Sequence, residues 1–169
     1  MAKQLSTQSG APAGSQKNTA QPTLLATLLL PMQASQLLVP NVSMAELVGH
    51  QLPQRPAQSL PDWIQGFVQW RGESVPLVLY ENYLGKRRGA EANDLRIAIM
   101  NSISERYRGR FYGLLIQGIP RMLKVTEEDL VNVSGEPAAG SLFQVDTPLG
   151  QADLPDLEAL EEALGQALP

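Results

Sequence analysis

Residues Trp63 to Gly85 read WIQGFVQWRGESVPLVLYENYLG, and the way this stretch divides decides the fold. Trp63 to Trp70 is aromatic and β-branched, a composition that suits a pleated, half-buried surface and predicts a strand. Arg71-Gly72-Glu73 breaks it. Gly72 takes a positive φ without steric penalty, as a hairpin turn requires, and its two charged neighbours seek solvent or a partner. The second strand, Ser74 to Tyr80, puts Val75, Leu77 and Leu79 on one face and Val78 and Tyr80 on the other. Both faces are apolar, so both are expected to be covered. Pro76 has no amide hydrogen, which predicts an edge strand, or a kink where the sheet curls as in a small barrel.

Upstream, Leu24 to Leu30 is apolar at nearly every position and predicts a strand buried on both sides. Gln36 to Val39 follows Pro31 as the return strand of a hairpin that stops at Pro40. From Asn41 the chain either makes a single helical turn through Leu47 or continues as a bent strand to Gly49. Residues 50–62 carry Pro53, Pro56 and Pro61 and read as a loop. Residues 1–22 are Gln, Ser, Thr, Gly, Ala and Pro with almost nothing to bury, so they are expected to form a disordered tail ahead of one domain over residues 23–167.

Downstream, Leu95 to Met100 alternates, with Leu95, Ile97 and Ile99 inward and Arg96 outward; Ser104 to Gly109 is a charged hairpin tip; Phe111 to Gln117 returns as a strand. Strands over Ser141–Val145 and up to Leu154 flank a turn at residues 146–150. Pro155 opens a last helix, Asp156 to Leu164, with Leu157, Leu160 and Leu164 on one face and Gly165 as its stop. Short alternating runs punctuated by Pro and Gly predict an all-β domain, with helix confined mainly to the C-terminus.

The chain of 169 residues carries 43% hydrophobic and 18% charged residues, which suits one globular domain able to bury its own core. It has no cysteine, so disulfide, thiolate and Cys-zinc chemistry are excluded. The apolar run Leu24–Met32 is about half the ~20 residues a spanning helix needs, and no apolar segment follows Lys3 as a signal peptide would require. A cytoplasmic protein is expected. The net charge is −4, unevenly spread: Lys86 to Arg110 holds seven basic and three acidic residues, whereas Glu127 onward holds ten acidic and no basic ones. The basic run reads as two solvated hairpin tips, or functionally as a docking surface for an acidic partner or nucleic acid.

Ile64, Gly66, Val68, Arg71-Gly72, Val75-Pro76 and Leu77-Val78 together resemble the "I-x-G-V-x-N-L-R-G-x-V-x-P-V-x-D-L" signature of CheW-like domains, the adaptor modules of bacterial chemosensory systems. Gly113-Leu114-Leu115-Ile116, Ile119 and Met122-Leu123-Lys124-Val125 are similar to the family's "G-L-x-V-D-x-V-x-x-V-L-x-V" segment, and Met44-Ala45-Glu46-Leu47 falls on its "V-x-E-I" strand. Gln69, Trp70, Leu79-Tyr80 and Gln117 depart from the pattern, where Asn, Leu, Asp-Leu and Asp are usual. The resemblance implies two small, intertwined, SH3-like five-stranded β-barrels with a short C-terminal helix, an apolar groove and exposed strand edges. It implies a non-catalytic scaffold that couples the cytoplasmic tip of a methyl-accepting chemoreceptor to a CheA-type histidine kinase in chemotaxis or pilus motility, recruited to membrane receptor arrays by its partners. The partner-binding residues it implies are Glu46, Arg71, Gly72, Val75 and Pro76, with Glu46 near Arg71.

No residue pattern for chemistry competes with this. His50 is the only histidine, which leaves no two-histidine metal site. The acidic runs Glu127-Glu128-Asp129 and Glu161-Glu162 are adjacent residues that point apart, unlike an acid/base pair. No phosphate-cradling glycine loop occurs, and neither cofactor nor metal is expected. The alternative is a small β-barrel nucleic-acid binder, with Lys86 to Arg110 tracking phosphates and Trp63, Trp70 or Tyr107 stacking on bases.

Overall fold

The computed structural model describes residues 23–86, 93–131 and 140–168. The expectation for residues 1–22, and Arg87, Arg88 and Glu91 of the basic run, lie outside them. Among the described residues ten strands carry the fold: β1 (Leu25–Pro31), β2 (Gln36–Pro40), β3 (Met44–Gly49), β4 (Ile64–Trp70), β5 (Glu73–Val78), β6 (Leu95–Asn101), β7 (Phe111–Gln117), β8 (Arg121–Val125), β9 (Ser141–Thr147) and β10 (Gly150–Pro155). Helix is short: α1 (Tyr80–Tyr83), α2 (Glu127–Val131) and α3 (Leu157–Ala167). A single 3-10 turn, Asn41–Ser43, precedes β3, so the segment after Pro40 makes a helical turn and then a strand.

The strands form two five-stranded sheets, ordered β8-β1-β2-β10-β9 and β3-β6-β7-β5-β4. The second is one continuous stretch of chain, and the first is assembled from the two ends of the domain. Three apolar clusters explain the two-sided strands. Leu28 and Leu30 of β1, Val78 of β5, Ala98 and Met100 of β6 and Leu114 of β7 meet Leu157, Leu160 and Leu164 of α3 in a central core between the sheets. Alternate residues point the other way. Val68, Trp70, Val75, Leu77, Ile97, Ile99 and Leu115, with Val48 of β3 packed on them, bring all five strands of the second sheet into one cluster on its far face. Leu29, Leu38, Val125, Val145 and Ala152 do the same for the first.

A sheet that gathers all its strands around one far-face cluster curls around it, so that its own strands cover most of that cluster. The curling stops short of the expected closed barrels: among the described residues no backbone ladder joins β8 to β9 or β3 to β4. Each seam is bridged otherwise. Helix α2 packs against both β8 and β9, with Leu130 on the cluster beneath, and the β3/β4 seam is spanned by side chains.

Three local expectations meet the structure: the edge alternative for Pro76 is excluded, and two others are corrected. Strand β5 is an inner strand, yet its parallel ladder to β7 begins only at Leu77, directly after Pro76, so the missing amide falls where no β7 partner is paired. Tyr80 leaves the strand and opens α1, its hydroxyl donating to the Gly140 carbonyl at 2.7 Å. Gly165 lies inside α3 and does not end it: a Cβ there would run into the Arg106 carbonyl, so glycine is what lets the β6–β7 hairpin rest on the helix. Asp156 caps α3 by accepting the Ala159 N–H at 3.0 Å.

Candidate functional site

The hairpin between β4 and β5 closes with Trp70 opposite Glu73, leaving Arg71 and Gly72 as a two-residue loop. Their φ values, 48° and 81°, are those of a type I′ turn, whose twist matches that of the flanking strands. Gly72 takes this conformation freely. Arg71 does not: an L side chain in the left-handed region costs roughly 1–2 kcal/mol, and Asn or Asp is the usual occupant. The backbone is therefore strained at the residue that carries the site's cation.

The strain aims the guanidinium back across the seam. Arg71 Nη2 lies 2.8 Å from Glu46 Oε2 on β3, the opposite edge strand, while its side chain stays 71% exposed. Glu46 is brought there by the β3–β6 ladder, which shifts register between Met44 and Glu46. Trp70 completes the group. Its indole Nε1–H donates to the same Glu46 oxygen at 3.0 Å, and its ring lies 5.0 Å from the Arg71 guanidinium carbon. The Trp70 ring is itself buried and fixed edge-on against Phe111 at 4.8 Å.

Glu46 and Arg71 are thus brought together as expected, with Gly72 exposed beside them. Val75 and Pro76 are buried, so they support the hairpin from behind. An exposed ion pair contributes at most about 1 kcal/mol, so what this one provides is display: a guanidinium held in one orientation with most of its donors facing solvent. Gly66, also part of the quoted pattern, has φ 135° at a register shift in β4, where the Gln54 backbone crosses and exchanges two 2.8 Å hydrogen bonds with Phe67. Any Cβ at residue 66 would meet the Gln54 carbonyl.

Sequence reasoning did not place Trp70 in the adaptor site: it entered as a strand residue, a departure from the family pattern and a candidate base-stacking ring. The available signal was its polar tip: a buried indole N–H needs an acceptor, and Glu46 stands on the facing strand. The nucleic-acid alternative loses its stacking residues. Trp63 is half-buried and packs edge-on against Tyr83 at 5.3 Å, Trp70 is buried, and the Tyr107 hydroxyl donates to the Phe111 carbonyl at 3.3 Å. The second basic tip is no free loop either. Arg106 pairs with Glu162 of α3, and the buried Glu161 carboxylate accepts from Ser102 Oγ at 3.0 Å and from the N–H groups of Ile103 and Ser104 at 2.9 and 2.7 Å.

Two curled five-stranded sheets sharing one core, with a charged hairpin tip tied across a seam, define a two-sheet β-domain. The CheW-like domain model matches residues 27–147, and the chain belongs to that family. Among solved structures it is similar to the scaffolding protein TtCheW from Thermoanaerobacter tengcongensis, with a TM-score of 0.68 and 15% identity, over 92% of this chain and 98% of that one. No curated protein matches the sequence significantly. No helix among the described residues is long and apolar enough to cross a membrane.

Proposed function

We propose that this protein is a non-catalytic adaptor that couples chemoreceptors to a CheA-type histidine kinase in a bacterial chemosensory system. It acts in the cytoplasm and joins receptor arrays through its partners. Family membership supports the class of activity, and the carrying observation is the Arg71 guanidinium, held on Glu46 across the edge strands of the second sheet and left exposed. An adaptor must offer a surface whose shape does not change with each encounter. A strained turn, a shared carboxylate and a buried ring supply that rigidity without chemistry.

Titrating purified receptor cytoplasmic fragment and kinase against wild type and Arg71→Ala tests the reading. Binding should weaken by roughly 1–3 kcal/mol with the fold intact. Wild-type affinity in Arg71→Ala would remove this surface from the adaptor site.

A further inference from the structure

We infer that Trp70 is a positioning residue for the docking surface, so that the surface is a three-residue unit in which Trp70 fixes Glu46, which in turn fixes Arg71. The inference rests on the adaptor reading and extends it to a residue the family pattern does not supply, since leucine is usual at this place and leucine has no N–H. One carboxylate oxygen, Glu46 Oε2, takes both the indole N–H at 3.0 Å and the guanidinium at 2.8 Å. Without the indole, the Glu46 side chain, 38% exposed, would be held only by a guanidinium that is itself 71% exposed. Two solvated side chains cannot define each other's position; one of them must be anchored to the core. Trp70 is that anchor, because it is 8% exposed and locked against Phe111.

The ring has a second effect. Lying 5.0 Å beneath the guanidinium carbon, it favours a guanidinium that stays over the ring. The unit also limits what can bind. Glu46 Oε1 has no hydrogen-bond partner among the described residues, and most guanidinium donors are unused. The site therefore presents an acceptor beside donors with its charge internally neutralised. Such an edge complements a carboxamide or a backbone amide of the partner better than a lone carboxylate.

Trp70→Phe, which keeps an aromatic ring and deletes the N–H, should weaken binding to the kinase and receptor fragments about five- to tenfold, measured under conditions where melting shows the variant fully folded. In a Glu46→Ala background, which leaves the indole N–H no acceptor at residue 46, the same substitution should have little further effect, because the two act in series. Should Trp70→Phe not fold, residue 70 replaced by benzothienylalanine, which differs in the N–H alone, takes its place with the same expectation. A loss of melting temperature with wild-type affinity, while Arg71→Ala binds weakly, would overturn the positioning role and leave the adaptor site standing. No binding of either fragment by wild type would overturn the adaptor reading itself, and wild-type affinity in Arg71→Ala would remove this surface from it. In that case the Arg71 Nε–H signal in nuclear magnetic resonance still decides whether the indole orders the guanidinium: faster exchange in Trp70→Phe supports it, unchanged exchange refutes it.

Discussion

The Glu161 carboxylate reaches from α3 to accept the backbone N–H of Ser104 at 2.7 Å across 57 residues of chain, and it is fully buried while doing so. With the Ile103 N–H and Ser102 hydroxyl it satisfies three donors of the β6–β7 hairpin. Glu161→Ala should therefore cost about 2–4 kcal/mol, because these donors lose their acceptor in a partly buried site. Glu161→Gln, which keeps one oxygen, should cost clearly less. Equal losses in denaturant melts would mean that packing, not hydrogen bonding, sets the cost.

Arg71→Asn should separate stability from binding. Asparagine tolerates the left-handed backbone that arginine adopts here at φ 48°, a relief of roughly 1 kcal/mol. The exposed ion pair lost in exchange is worth about 0.2–1 kcal/mol. Stability should stay level or rise slightly while partner affinity falls. A marked drop in melting temperature would show that the turn is not strained.

Gly165→Ala should reverse the usual sign. Within an exposed helix the change gains up to about 1 kcal/mol, but here the new methyl meets the Arg106 backbone. Destabilisation of about 1–3 kcal/mol is expected, with the hairpin displaced from α3. A more stable variant would mean that the hairpin moves aside at no cost.

Alkaline pH should unfold the protein through its tyrosines. All four of them, Tyr80, Tyr83, Tyr107 and Tyr112, have pKa values raised chiefly by burial, Tyr107 to about 12 with a further push from the Glu161 charge. Between the ordinary value near 10 and these raised values the folded state keeps protons that the unfolded chain has lost. The stability they contribute is complete below about pH 10 and is lost as pH rises through about 12. Denaturant melts across this range, paired with the ultraviolet absorbance of tyrosinate, measure it. Constant stability from about pH 9 to 11 would show that the rings ionise without hindrance.

Apolar runs and alternation made most strands legible, because a strand covered on both faces announces itself by composition; β3 stayed open against a helical turn, and β8 was marked only by the family pattern. Glu46 and Arg71 were legible as a pair only through the family pattern; nothing local in either residue pointed to the other. Tyr80 was read as strand because its ring belongs to the same apolar face as Val78, and burial does not distinguish a strand's end from the first turn of a helix. Gly165 looked like a helix stop because glycine serves that role often, and its real constraint comes from Arg106, which is distant in sequence. Glu161 entered only as one of two adjacent acids that point apart, for the same reason: its partners are set by tertiary packing. Pattern reading reports which side of an element is apolar, and it is silent on what crosses that side.

The division of the first sheet between the two ends of the chain has a consequence for synthesis on the ribosome. The β1–β2 hairpin emerges first, but β1 completes its pairing only with β8, as when the Thr27 hydroxyl donates to the Leu123 carbonyl across 96 residues. Meanwhile Leu28, Leu29 and Leu30 have no finished core to enter, whereas residues 44–117 can assemble the other sheet from contiguous chain. Long-range pairing of this kind is slow, so the apolar hairpin is expected to wait beside a sheet whose own strands are already synthesised until the last strands and α3 close over both.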